Sequence, residues 1–151
     1  MLEMKRILFP CDLTINASKL LPYLLSVAQK YDSTVYVVHV VKEVQRRLPT
    51  YVPAEHLNLG QEKIVQLAKK ALNQLCITEL GGLSNAQQRV IVGDPASEIL
   101  KFIDAEGIDL VIMGTYGRKG MDETIFGSVA DNVVKLSPVP VMIINPYRIS
   151  A

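Results

Sequence analysis

The stretch with the clearest chemical potential is Gly114-x2-Gly117-x9-Gly127-Ser128, and four of the chain's nine glycines lie between 114 and 127. It follows the apolar run Ile108–Met113 and precedes Val129-Ala-Asp-Asn-Val-Val. A strand, a glycine-punctuated loop and a helix opening on Gly-Ser make an anion site. The first N–H groups of a helix have no intrahelical partner and carry the positive end of its dipole. Gly114 and Gly117 allow close backbone approach. Gly127 keeps a side chain out of an anion's way, and Ser128 adds a hydroxyl donor. Tight turns alone would also use such glycines; the second Gly-Ser at a helix start favours a phosphate-bearing ligand.

Other residues fall around this stretch. Asp12 ends the first apolar run and accepts hydrogen bonds only, which suits the vicinal hydroxyls of a ribose. The same carboxylate can close an Asx-turn or cap the following helix, and spacing does not choose between the roles. Val40 and Val41 end the second strand, where freed backbone groups can read an adenine edge. Arg118 and Lys119 can offset phosphate charge, although Asp122 and Glu123 cancel them formally; a divalent cation would relieve this. His39 alternates with valines and reads as a packed strand residue, Tyr116 as a residue able to cover a ligand, and Cys11 as an inert buried thiol. No Walker A, GxGxxG or GxSxG pattern and no metal-ligand cluster is present in the sequence.

The elements that must position these groups alternate regularly. Short apolar runs at Lys5–Pro10, Thr34–Val41, Arg89–Val92, Leu110–Met113 and Val139–Ile144 read as strands. Helical periodicity separates them: Leu20 to Ala28 ending near Tyr31, Gln61–Leu80 stopped by Gly81-Gly82, a helix opened by Asp94 as N-cap and Pro95, and Ser128–Leu136. Pro22 predicts that regular hydrogen bonding in the first helix starts near Ser18 or that its first turn is distorted. Lys42–Gly60 reads as a long connection. Pro138 and Pro140 place the last strand at a sheet edge. The pattern predicts one α/β domain over residues 1–151: an open five-stranded parallel sheet, order 3-2-1-4-5, with helices on both faces. Ligands bind such sheets where the winding reverses, here between strands 1 and 4, so Asp12 faces the glycine loop.

With 151 residues, 49% apolar and a net charge of +1, the chain shows neither a nucleic-acid footprint nor a polybasic membrane patch. Two cysteines without metal-like spacing, a short N-terminal apolar run and no membrane-length stretch predict a reduced, cytoplasmic protein.

With these residues in view, the whole chain resembles a single-domain universal stress protein. The resemblance rests on Ile7-Leu-Phe-Pro-Cys-Asp12, Val37-Val-His-Val-Val41, Val92-Gly-Asp-Pro-Ala-Ser-Glu-Ile99 and Asp109-Leu-Val-Ile-Met-Gly-Thr115. The glycine pattern matches that of the family's ATP-binding branch. The resemblance implies a Rossmann-like fold binding ATP, or ADP or AMP, with Mg or Mn as a possible companion. Asp12 would then meet the ribose, with Pro10 beside it, and Val41, next to Val40, would bond adenine through its backbone. Gly114 and Gly117 would line ribose and phosphates, flanked by Met113 and Arg118; Gly127, Ser128 and Val129 would hold phosphates. It further implies a homodimer paired through the last strands, agreeing with the apolar edge at Val139–Ile144.

The resulting expectation is a nucleotide-binding stress-response regulatory module, with an unidentified protein partner and at most weak ATPase activity. A dimeric interaction module with an empty crevice and a phosphoryl- or adenylyl-transfer enzyme are the alternatives. A phosphoacceptor receiver domain also fits the topology through Asp12, Asp94 and Thr115, but Asn145-Pro146 stands where that fold needs a lysine.

Overall fold

The computed structural model describes residues 2–43, 51–52, 60–81, 83–115 and 127–149. Strand and helix alternate as β1 (Arg6–Pro10), α1 (Ile15–Tyr31), β2 (Thr34–Val41), α2 (Gln61–Glu79), β3 (Ala86–Val92), α3 (Pro95–Glu106), β4 (Leu110–Gly114), α4 (Ser128–Leu136) and β5 (Val141–Ile144). The five strands form one parallel sheet in the order β3-β2-β1-β4-β5, as the alternation predicts.

Strand periodicity sorts the core into two faces. Ile7, Phe9, Val35, Val37, Leu110 and Ile112 pack with Leu20, Leu21 and Leu24 of α1 and Leu72 of α2. Leu8, Tyr36, Val38, Val111 and Met113 point the other way, onto Ile99, Phe102 and Ile103 of α3 and Ala130 and Val133 of α4. β1, β2 and β4 are therefore covered on both sides, which is why they read as unbroken apolar runs.

Three boundaries depart from expectation. α1 begins at Ile15, not Ser18, and carries Pro22 inside it. Pro22 faces solvent, where neither its ring nor the missing N–H disturbs the packed side of the helix. β3 begins at Ala86 rather than Arg89, because Gln87, Gln88 and Arg89 are exposed on an edge strand and carry no apolar pattern. β5 begins at Val141 rather than Val139: Val139 is held in a turn by Ser137, whose Oγ accepts from its N–H at 3.1 Å and donates to its carbonyl at 2.7 Å. Pro140 contributes only its carbonyl, which accepts the Val111 N–H at 3.0 Å. β5 occupies the predicted sheet edge.

Caps fix the helix ends. Asp94 accepts the Ser97 N–H at 3.0 Å with Pro95 at the first helical position, and this bond holds its carboxyl below the ordinary 3.8. Gly107 closes α3 at φ 61°, a left-handed conformation that glycine adopts without steric cost.

Candidate functional site

The winding reverses between β1 and β4, so Asp12 just after β1 and Thr115 just after β4 lie at the same carboxyl edge of the sheet, where folds of this kind bind ligands. On the β1 side, Cys11 continues the sheet by donating its N–H to Val38 O at 2.8 Å. Leu13 then turns the backbone at φ 60° into α1. Asp12 holds this turn: its Oδ1 accepts from the Thr14 N–H at 2.9 Å and the Thr14 hydroxyl at 2.8 Å. The Asx-turn is thus present, and both of these bonds fall on Oδ1. Partial burial raises the Asp12 carboxyl above its ordinary 3.8, against the lowering by Thr14 and by nearby His39.

His39 fixes the layer beneath. Its ring is buried, with Nδ1 2.7 Å from Cys11 O and Nε2 3.1 Å from the Tyr51 hydroxyl. Tyr51 and Val52 belong to the Lys42–Gly60 connection; Val52 packs with Val41, Ile64 and Ala68. His39 therefore ties this connection to the turn that carries Asp12. Burial pushes the Cys11 thiol up to about 12, which leaves it protonated and unreactive at neutral pH.

Strand alternation separates Val40 from Val41. Val38 receives its bond from β1, whereas Val41 O already accepts the Gly93 N–H at 2.9 Å on the β3 side. By the same alternation the backbone of Val40 faces the β1 side.

On the β4 side, Thr115 joins strand to helix. It donates its N–H to Ile144 O at 3.1 Å and accepts the Gly127 N–H at 2.8 Å. Gly127 is the N-cap of α4 and supplies no side-chain cap, and the first helical bond runs from Asp131 N–H to Gly127 O at 2.9 Å. The N–H groups of Ser128, Val129 and Ala130 precede that bond and point out of the helix start. Ser128 is exposed, while Gly127 and Val129 are half-buried. Pro10 ends β1 and Gly114 ends β4, with Met113 just before it buried in the core beneath α3 and α4. Gly117 and Arg118 lie outside the described residues, as do Tyr116, Lys119, Asp122 and Glu123.

One residue here escaped sequence reasoning. Thr115 is only 5% exposed, and its Oγ1 has no hydrogen-bond partner among the described residues. Burying a hydroxyl without a partner is costly, and such groups are rare in folded proteins. A single threonine after a glycine carries no periodic signal; the available clue was its place between strand end and glycine loop.

A helix start without a side-chain cap, a buried hydroxyl with no partner among the described residues and a half-buried carboxylate are groups that can meet an anion joined to a hydroxylated sugar, the composition of a nucleoside phosphate. Among the described residues no cluster of three or more His, Cys, Asp or Glu side chains could hold a metal ion, and no helix is long and apolar enough to cross a membrane.

Comparison with known proteins agrees with this fold. The profile of the Universal stress protein family matches residues 3–145. Universal stress protein MJ0577 of Methanocaldococcus jannaschii is 27% identical, with 93% of this chain and 94% of that protein covered. The MJ0577 structure superimposes with a TM-score of 0.79 at 28% identity over 99% of this chain and 100% of its own. A universal stress protein from Archaeoglobus fulgidus in complex with dAMP gives a TM-score of 0.68 at 20% identity, covering 96% of this chain and 100% of its own. Another, in complex with cAMP, gives 0.62 at 16% identity, covering 96% of this chain and 99% of its own. With the profile spanning every described strand and helix of the doubly wound sheet, this chain belongs to the universal stress protein family.

Proposed function

We propose that the protein binds an adenine nucleotide, ATP or its ADP or AMP counterpart, in the crevice between β1 and β4. We propose further that it acts as a homodimeric stress-response regulatory module. The observation that carries this reading is the uncapped N-terminus of α4, tied to β4 through Thr115 and set across the winding reversal from Asp12. The dAMP and cAMP complexes of two relatives of the same fold support the adenine nucleotide as the class of ligand. In this reading the N–H groups of Ser128 and Val129 hold phosphate, Asp12 Oδ2 accepts from the ribose, and the Val40 backbone lies beside the base. Mg or Mn would screen the charge that the phosphates bring. In this reading Asp12, engaged through Oδ1 in its own turn, serves the ribose rather than activating water, and hydrolysis is at most slow.

Asp12 gives the reading a pH signature. A ribose hydroxyl donates to the ionised carboxylate, so binding favours the deprotonated form. Affinity should fall as pH drops through the Asp12 pKa, which lies above 3.8 in the free protein. Stability runs the opposite way: the raised pKa contributes stability that is present below 3.8 and lost as pH rises through the folded value. Asp12→Asn keeps an oxygen for Thr14 but removes the charge, and should weaken ATP binding by roughly 5–10-fold near neutral pH. The wild-type-to-variant ratio of dissociation constants cancels titration of the phosphates and should shrink toward one in acid. A ratio near one at every pH would remove Asp12 from the site.

The dimer is proposed through β5. This strand is at the edge of the sheet, with Met142 38% exposed and Val134 and Leu136 of α4 also exposed. Pairing with a second copy would cover them. Sedimentation velocity at micromolar concentration should show a dimer, and Met142→Lys should shift it toward monomer; a wild-type monomer at these concentrations contradicts the pairing.

A further inference from the structure

We propose that His39 is a positioning residue for the base: its ring takes the Cys11 carbonyl, ends the β1–β2 ladder one bond early and so leaves the Val40 N–H for the ligand. The inference rests on the nucleotide reading above, which sets the Val40 backbone beside adenine, and names the residue that makes that backbone available. β1 and β2 run parallel with Pro10 opposite Val38. The last bond between them runs from the Cys11 N–H to Val38 O at 2.8 Å. In a parallel ladder the next bond would run from the Val40 N–H back to Cys11 O. Among the described residues that bond is not made, and the carbonyl lies 2.7 Å from His39 Nδ1 instead. A carbonyl oxygen only accepts, so Nδ1 carries the proton. The other ring nitrogen, Nε2, lies 3.1 Å from the Tyr51 hydroxyl, and the Tyr51 ring meets the imidazole edge-on with centroids 5.2 Å apart. Held at both nitrogens and buried, the ring cannot leave the carbonyl without giving up this bonding. The strand reads Val37-Val38-His39-Val40-Val41, and a fifth valine in place of His39 would leave the Cys11 carbonyl for Val40. Burial along β2 agrees: from Val35 to Val41 every residue is buried except Val40, which is half-buried. A backbone N–H opened in this way suits a neutral acceptor nitrogen of the adenine ring.

The test combines heteronuclear NMR with ATP titration calorimetry on nucleotide-stripped wild type, His39→Val and His39→Asn. In the free wild-type chain the His39 ring should carry its proton on Nδ1, and the Val40 amide should exchange faster than those of Val37 and Val38. His39→Val should let the ladder close, so that Val40 exchange slows by about tenfold in the free chain and ATP binds about three- to tenfold more weakly. His39→Asn keeps an N–H donor near the Nδ1 position and should hold both quantities within about threefold of wild type. An unprotonated Nδ1 in the wild type overturns the assignment whether or not the variants fold. Val40 exchange in His39→Val that is unchanged, or quickened together with Val37 and Val38, marks a packing role and also overturns it. Wild-type ATP affinity in His39→Val, or equal losses in both variants, overturns the positioning role and leaves the nucleotide reading standing. A folded wild-type chain that binds no ATP overturns the nucleotide reading and the role of His39 in binding together.

Discussion

Replacing Gly127 by Asp is expected to weaken nucleotide binding on the order of 100-fold or more while leaving the fold as stable as before. The two effects separate because they draw on different properties of one position. Gly127 is the N-cap of α4, with φ −58° and ψ 150°, and provides no side-chain cap. An aspartate in extended backbone at an N-cap accepts an N–H of the first turn and adds a few tenths of a kcal/mol relative to glycine. The same carboxylate would occupy the N–H groups that a phosphate needs and set a negative charge beside it. Repulsion between unit charges about 4 Å apart near a protein surface is roughly 4 kcal/mol before salt screening. Thermal melting and ATP titration on one sample read both quantities. A variant that melts normally and binds ATP as tightly as wild type would exclude the α4 N-terminus as the phosphate site.

Phe9→Ala is expected to cost about 3–5 kcal/mol, the range for emptying an aromatic position in a packed core. Phe9 is fully buried in β1, a central strand, facing the layer of Leu20, Leu21 and Leu24. No helix shift can refill the space without disturbing neighbours paired on both sides of β1. For a chain of this length each kcal/mol shifts the melting temperature by about 2–4 °C, so a drop of roughly 6–20 °C is expected. Ile77→Ala serves as the control: its side chain is largely exposed on α2, away from the proposed dimer edge, and its effect should stay within about 0.5 kcal/mol. A Phe9→Ala midpoint indistinguishable from wild type in calorimetry would contradict the two-layer core.

How far the fold could be read in advance follows from where each segment lies. β1, β2 and β4 were legible because they are covered on both faces and show as apolar runs. The Asp94–Pro95 start of α3 was legible because capping chemistry is local. The first residues of β3 were not, since an exposed edge strand tolerates Gln87, Gln88 and Arg89. The start of α1 was misplaced because a proline in the sequence does not reveal which side of the helix faces solvent. Asn16 is buried with its Nδ2 donating to the Tyr147 hydroxyl at 2.7 Å, a partner 131 residues away that no local pattern could supply.

The site divides in the same manner. Gly127 and Ser128 were legible because a glycine and a serine at a helix start carry their geometry with them. Asp12 was legible as a turn residue, and the structure shows that role on Oδ1, which accepts both the Thr14 N–H and its hydroxyl. The pairing of Val41 O with Gly93 depends on strand parity across β2 and β3, which needs the register rather than the residue type. Thr115 became visible only once its burial and its bonding could be compared.

Equilibrium dialysis of the nucleotide-stripped chain against labelled ATP, with and without a divalent cation, tests nucleotide binding most directly. The expected result is saturable retention of one ATP per chain, displaced by unlabelled ADP or AMP and absent in Gly127→Asp. Retention no greater than in buffer alone, in protein shown to be folded, would contradict adenine-nucleotide binding by this crevice.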